Sequence, residues 1–252
     1  MAKLRLHQFL SKTGAFDSKQ QIVDAVRNKE ISINDKIVTD LHYQFKPSKE
    51  KVFWKNKELK KLSESIYILI NKPEDYLSSR LTEKDIQHKN KSIFKIIDED
   101  QKLNDSEKKS LFSVGRLDKN SSGLLIITND GELGSKITEP KNNIKKTYEV
   151  KLAKPISIEE IAKIEQGVMI DLEENGKIIQ HKTKPCKITK LEQNKILIII
   201  TEGKKREVRR IFEKMNNQVY KLKRVAIGDI MLGEMKPGEY KRTTKEDILS
   251  NL

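Results

Sequence analysis

The sequence predicts an α+β protein in two parts, a small basic N-terminal domain over residues 1–61 and a larger domain over 62–252. Three observations predict it. The chain has 252 residues, and a prior of about 150 residues per domain gives two. Short β-branched runs alternate with segments of helical periodicity. The charge is also unevenly placed: residues 1–61 hold 14 Lys or Arg against 7 Asp or Glu, and residues 203–224 hold 9 against 2. These two foci account for the whole formal charge of +14.

In the first part, Leu4, Leu6, Phe9 and Leu10 make a short apolar helical face. Ser18 followed by Gln21 is a capping-box pattern, and Ile22, Ala25 and Val26 continue it at helical spacing. Ile31-Ser32-Ile33 and Lys36-Ile37-Val38 flank Asn34-Asp35, which reads as a tight hairpin, and Val52-Phe53-Trp54 adds a strand. So small a unit buries too little apolar area to carry chemistry unaided.

A charged connector, 55–65, leads to a buried strand that starts at Ile66 and ends at Lys72-Pro73, because proline cannot continue a ladder. The polar stretch 82–110 contains a helix around 92–98. Residues 124–128 (LLIIT) form a second buried strand, closed by the Asn129-Asp130-Gly131 turn. A third strand covers 147–152, a helix covers 158–166, and the β-branched run 195–201 is a fourth strand. Glu202-Gly203 then turns the chain into a helix over about 206–216, with Val208, Ile211, Phe212 and Met215 inward.

Composition excludes several function classes. Cys186 is the single cysteine, so the chain makes no internal disulfide and no thiolate cluster, which fits a reducing cytoplasm. It reads as a small apolar residue rather than a nucleophile. His7, His42, His88 and His181 share no ligand spacing, so no metal is expected. No phosphate-cradling glycine loop and no cluster of metal-binding carboxylates is present either, which argues against a ligase or a nuclease. Apolar runs reach about five residues, far short of the ~20 that span a bilayer. The N-terminus MAKLRLHQFL lacks a signal-peptide core, so a cytoplasmic protein away from membranes is expected. Two basic foci in nearly neutral sequence fit a polyanionic partner, most simply nucleic acid; the alternative is a solvated lysine-rich surface of an AT-rich genome.

The stretch GRLDKNSSGLLIITNDGEL places Asp118 in a turn that runs into an apolar strand. Arg116 and Asp118 share a face if the chain is extended, so a cation can hold the carboxylate ionised and aimed. Taken alone, an aspartate before Ser-Ser-Gly serves equally well as a cap or turn residue.

Other blocks decide between these uses. YILINKPEDYLSS, SVGRLDKNSSGLLIITNDGEL, KKTYEV, ILIIITEGKKREVRRIF, VYKLKRVAIGDI and GEYKRTTKEDI occur in an order that resembles the pseudouridine synthases of the RsuA/RluB/RluE/RluF group, which act on ribosomal RNA. Residues 4–38 resemble the RNA-binding domain named after small-subunit ribosomal protein four, an αL motif. The resemblance implies a mixed, largely antiparallel sheet with flanking helices. It implies isomerisation of a uridine with no cofactor, with large-subunit rRNA preferred. The partner would be ribosomal RNA or an assembly intermediate, and the enzyme a monomer.

Residue by residue, the resemblance implies Asp118 as the catalytic carboxylate, Arg209 as the cation beside it and Tyr148 as the active-site tyrosine. It places RNA contacts at Lys3, Arg5, Lys12, Lys19 and Arg27, and in the larger part at Arg116, Lys204, Lys205, Arg206 and Arg210. Ile198 or Ile200 would floor the uracil site, and Lys72 and Pro73 would shape the fold or the RNA groove. Aspartate attack on ribose carbon 1′, addition to the uracil ring, and proton removal to a glycal all remain open. Two departures stand out: Glu207, where glutamine is common, is expected to alter RNA contacts or form a helix-side ion pair, and Ser121 replaces a frequent threonine. The competing class is a noncatalytic RNA-binding or ribosome-assembly factor.

Overall fold

The computed structural model describes residues 3–60, 64–174 and 176–252. The chain divides into two compact units: the described residues of Met1–Ile66 with Ile96–Phe112 and Thr128–Gly131, and the remainder. The boundary expected between residues 61 and 62 lies outside the described residues.

The first unit opens with β1 (Leu4–Arg5), α1 (Leu6–Leu10) and α2 (Lys19–Arg27), followed by β2 (Ile31–Ile33), β3 (Lys36–Ile37), β4 (Gln44–Phe45), β5 (Val52–Trp54) and β6 (Lys57–Leu59). Ser18 caps α2 by accepting from the Gln21 amide, while the Gln21 side chain reaches one residue beyond the cap, to the Asp17 amide. The expected hairpin forms with Ile33 opposite Lys36. The connector is not all loop: Lys55 and Asn56, both at positive φ, turn β5 into β6, and Val52 pairs with Leu59. Apolar side chains from both helices and the strands, including Leu6, Leu10, Val26, Ile31 and Phe45, close one core.

Residues 96–112 belong to this unit although nothing in their polar composition suggests it. Gly14 supplies the reason. It sits at φ +63°, and a Cβ there would lie 2.1 Å from the Ser106 carbonyl oxygen. Asp17 also pairs with Lys109 at 2.9 Å.

The second unit is built on a mixed sheet. In chain order its elements are β7 (Tyr67–Lys72), β8 (Tyr76–Leu77), α3 (Glu83–Gln87), β9 (Lys91–Ser92) and α4 (Ile93–Asp98, which runs into the first unit's segment). After α5 (Asp105–Ser110) of the first unit come β10 (Phe112–Val114), β11 (Ser122–Thr128), α6 (Gly131–Thr138), β12 (Lys146–Leu152) and α7 (Ile158–Glu165). The rest is β13 (Met169–Glu174), β14 (Lys177–Lys182), β15 (Lys187–Glu192), β16 (Lys195–Ile200), α8 (Glu207–Lys214), β17 (Val219–Ile227), β18 (Ile230–Met231), β19 (Tyr240–Arg242) and α9 (Lys245–Ser250). None of the described helices is long and apolar enough to cross a membrane.

The sheet runs β15-β16-β12-β17-β11-β7-β19, with β10 beside β11 and β18 beside β17. Pairings are antiparallel at β15–β16, β16–β12, β12–β17 and β7–β19, and parallel at β11–β17. All four expected strands are present, and the 124–128 strand starts two residues early, at Ser122. Gly123 permits the parallel pairing: it lies at φ +107°, and a Cβ would come within 2.2 Å of the Arg224 carbonyl oxygen. The turn expected at 129–131 is instead the entry to α6. Ile198, Val150, Phe212, Ile211 and Ile170 lie in one apolar cluster, and Leu124, Ile126, Ile137 and Ile248 in another.

Candidate active site

Asp118 lies in the irregular link between β10 and β11 and is half-buried. Every backbone carbonyl from 117 to 121 is engaged. Leu117 O accepts from the Ser78 hydroxyl at 2.8 Å, and that hydroxyl accepts in turn from the Leu117 amide at 3.0 Å. Asp118 O accepts from the Ser121 amide at 3.0 Å, and Lys119 O from the Asp75 amide at 2.9 Å. Asn120 O takes the Arg209 Nη2 donor at 2.8 Å, and Ser121 O takes Lys72 Nζ at 2.6 Å. A loop with all its acceptors occupied has little freedom to rearrange.

Lys72 is the hub. It ends β7 with its side chain fully buried, and its ammonium also donates to Pro73 O at 2.8 Å and Lys119 O at 3.2 Å. Burial pushes its pKa down to about 8, while Asp75, Glu74 and Asp118 pull it back up. The proline that stops the strand therefore also supplies a carbonyl to the lysine before it.

Arg209 projects from α8 and is buried. Besides Asn120 O, its guanidinium donates to Val219 O at 3.0 Å and contacts the Ser121 hydroxyl at 3.4 Å. Burial and then Arg206 lower its pKa, against the charges of Asp118, Glu213 and Glu74. Asp118 is thus within electrostatic reach of two buried cations, and its carboxylate takes no hydrogen bond or ion pair from the described residues. Arg116 is exposed and makes no ion pair with Asp118 among the described residues.

Tyr148 is buried on β12, opposite Ile198 of β16 and Arg224 of β17, where a register shift at Thr147/Tyr148 bends the pairing. Its hydroxyl has no protein partner among the described residues. Ile198 and Ile200 are both buried in the cluster that contains Tyr148. Arg224 is itself buried and donates from Nε to Leu124 O at 2.7 Å. Ser78 and Arg224 lie within the blocks YILINKPEDYLSS and VYKLKRVAIGDI, but nothing in those blocks singles them out.

The basic residues divide by exposure. Lys3, Arg5, Lys19 and Arg27 are exposed in the first unit, and Lys12 is half-buried. In the second unit Arg116, Lys204, Lys205 and Arg206 are exposed, whereas Arg210 is half-buried and its Nη1 is buried without a partner among the described residues. Glu207 corrects the expectation of a surface ion pair. It is 3% exposed, accepts from the Lys204 amide at 2.8 Å, and is hydrogen-bonded to Glu202. Cys186 is half-buried with its thiol pushed up to about 12, burial being the main cause.

Comparison with known proteins adds an independent line. The family model described as RNA pseudouridylate synthase matches residues 66–214, and the S4 domain model matches residues 4–50. A protein of Aquifex aeolicus (strain VF5), named as an uncharacterized RNA pseudouridine synthase, is 33% identical over 97% of this chain and 94% of its own. One of Vibrio vulnificus (strain CMCP6), named ribosomal small subunit pseudouridine synthase A, is 32% identical over 97% of this chain and 98% of its own. A crystal structure of a pseudouridylate synthase superposes with a TM-score of 0.67 at 28% identity, covering 99% of this chain and 100% of that one. Because the family model spans more than half of the sequence, and relatives match it almost end to end, this chain belongs to the RNA pseudouridylate synthase family and is an RNA pseudouridine synthase with an S4 domain.

Proposed function

We propose that the chain isomerises a uridine of ribosomal RNA, with Asp118 as the attacking carboxylate. One observation carries this reading: five consecutive carbonyls are tied down around a carboxylate that has no protein partner of its own among the described residues. A cap or turn aspartate spends its oxygens on nearby amides, whereas this one is framed and left open. Preorganised placement of that kind is what nucleophilic or base catalysis requires.

The reaction breaks the bond from ribose carbon 1′ to uracil nitrogen 1, turns the base, and joins carbon 1′ to carbon 5. Carbon 5 then loses its hydrogen and nitrogen 1 gains one, so atoms and electrons balance without redox or a group donor. Attack at carbon 1′, addition to the ring and glycal formation all begin at the same carboxylate. Arg209 and Lys72 stabilise its charge and fix its loop. Tyr148 offers a ring face for the uracil and a free hydroxyl for the proton at carbon 5. The base must leave its stack to reach Asp118, at a cost of a few kcal/mol.

Binding energy for that step comes from the two basic foci. Lys3, Arg5, Lys12, Lys19 and Arg27, with the chain up to residue 61, hold RNA; Arg116, Lys204, Lys205, Arg206 and Arg210 hold phosphates near the site, and residues from 62 onward carry the chemistry. All the catalytic groups come from one chain, so a monomer suffices. The relative named for the small ribosomal subunit makes that RNA the first substrate to test, and the large-subunit preference drawn from resemblance makes the other RNA the second.

The test is tritium release from small-subunit, large-subunit and transfer RNA carrying tritium at uridine carbon 5. Release by the wild type and none by Asp118→Asn is expected. Equal release by both removes Asp118 from the chemistry.

A further inference from the structure

The turn that precedes α8 holds two buried carboxyl groups that the proposed chemistry does not use. Glu202, 5% exposed, accepts from the Lys184 amide at 2.6 Å and meets His181 Nε2 at 3.0 Å. Glu207, 3% exposed, accepts from the Lys204 amide at 2.8 Å, and its own amide donates back to Lys204 O at 3.1 Å. The two carboxyl groups are hydrogen-bonded to each other. Two oxygen acids can bond in this way only if one keeps its proton.

The surroundings decide which one. Burial drives Glu207 up to about 8, reinforced by the neighbouring Glu202 and opposed by the Lys204 amide and by Lys146. Burial also works to raise Glu202, but the Lys184 amide, His181 and the Glu207 donor outweigh it and hold Glu202 below the usual carboxylate range. The other groups that bear on this pocket are Lys146, whose ammonium donates to Ile144 O at 3.1 Å, Arg224 and Lys184, together with Cys186. Glu207 is therefore the acid and Glu202 the base of a proton-sharing pair at neutral pH.

The pair sits where it can act on the site. Arg206, the residue before α8, is held in the left-handed region at φ +56°, a conformation that costs about 1–2 kcal/mol outside glycine and persists only when its surroundings enforce it. The reciprocal Lys204–Glu207 bonds close the chain around Arg206. Two residues beyond Glu207, Arg209 leaves the same first turn of α8 for Asn120 O and Val219 O.

We propose that Glu207 is a positioning residue: its carboxyl, acting as donor to Glu202, locks the turn from which α8 starts and so sets where Arg209 grips the Asp118 loop. This rests on the reading that Arg209 serves Asp118. When the shared proton leaves, two carboxylates face each other in a buried pocket, the turn loosens, and the grip on Asn120 is lost. Isomerisation accordingly has an alkaline limb that belongs to the protein rather than to the uracil.

The experiment compares wild type, Glu207→Gln and Glu207→Leu between pH 6.5 and 9.5. One readout is single-turnover tritium release from the ribosomal RNA; the other is hydrogen-exchange protection of the Lys184 and Lys204 amides, measured without RNA. Glutamine donates to Glu202 at every pH, so the wild-type rate should fall at least fivefold relative to that of Glu207→Gln across this range, a loss common to both belonging to other groups such as Lys72. Amide protection should fall above about pH 8 in the wild type only. Leucine should lose at least tenfold in rate at pH 7, and glutamine should rescue it. Parallel pH dependence of wild type and Glu207→Gln in either readout overturns the proposal. If no variant turns over any of the RNAs, it is the assignment of the site that has failed, and amide protection alone then decides for or against the lock.

Discussion

Lys72→Met separates what the buried ammonium does for stability from what it does for the site. Methionine fills nearly the same volume and removes all three donors. Lys119 O keeps the Asp75 amide, so two acceptors, Pro73 O and Ser121 O, lose the lysine bond. Each orphaned carbonyl costs about 1–3 kcal/mol. Against this, the wild type carries a buried charge whose pKa has fallen from 10.5 to about 8, and removing it returns roughly 3 kcal/mol at about 1.4 kcal/mol per unit. The two effects nearly offset each other, and the net change in stability should stay within about 3 kcal/mol. The Asp118 loop is then unpinned at Ser121, and a displacement near 1 Å costs about 100-fold in rate. Urea unfolding at pH 7 and single-turnover tritium release on the same preparation would show a folded, nearly normal protein with a rate at least about 100-fold down. A folded Lys72→Met that keeps a third of the wild-type rate would refute the reasoning. The pH dependence gives a control: a lysine with a depressed folded pKa binds fewer protons when folded, so the wild type should gain stability over the variant as pH rises from about 8 to 10.5.

Three further perturbations test other parts of the structure. Gly123→Ala puts a methyl group against the Arg224 carbonyl at a φ of +107° that side-chain-bearing residues rarely adopt, and should destabilise by about 3 kcal/mol or more; a melting temperature equal to that of wild type would mean that β11 and β17 are not so close. Arg209→Lys keeps the charge but cannot fork between Asn120 O and Val219 O, so turnover should fall at least about 30-fold while the salt dependence of RNA binding stays the same, as filter binding would report. Glu207→Gln should gain stability over wild type as pH rises from about 5 to 8 and level off above that. A raised folded pKa contributes stability that is present at low pH and lost on the way up to about 8; urea titrations that give a constant gap across this range would contradict it.

The sequence carried the parts of this fold that are written in local chemistry. Ile66 to Lys72, residues 124–128 and the run at 195–200 are strands because β-branched residues crowd together and a turn or proline bounds them. The hairpin of β13 and β14 escaped notice for the opposite reason: β14 is exposed along nearly its whole length and has no alternation, and only Ile170 and Leu172 on its partner point inward. The short helices α3 and α5 did leave a mark, since Thr82 with Asp85 and Asn104 with Glu107 are reciprocal caps, but the polar stretch around them has no apolar face to draw attention.

At the site, the motif around Asp118 could be read, and its supports could not. Lys72 looks like the polar end of a strand until carbonyls 47 and 49 positions away converge on it. Glu207 looks like a surface acid among arginines until Glu202 is folded against it. The role of Lys72 depends on contacts that no local window of sequence contains, whereas the partners of Glu207 are near in sequence and only burial reveals them.

The same long spans constrain when the enzyme can become active. Arg209 reaches back 89 positions to Asn120, and it is itself steadied by the carbonyl of Val219. During synthesis, the segment around Asp118 therefore emerges from the ribosome with Lys72, Asp75 and Ser78 already made, and it waits for α8 and β17 to supply Arg209 and the Val219 carbonyl that complete its frame. Contacts of such high order form late. A nascent or truncated chain that ends before residue 219 can contain the whole GRLD motif and still lack the carbonyl that steadies Arg209.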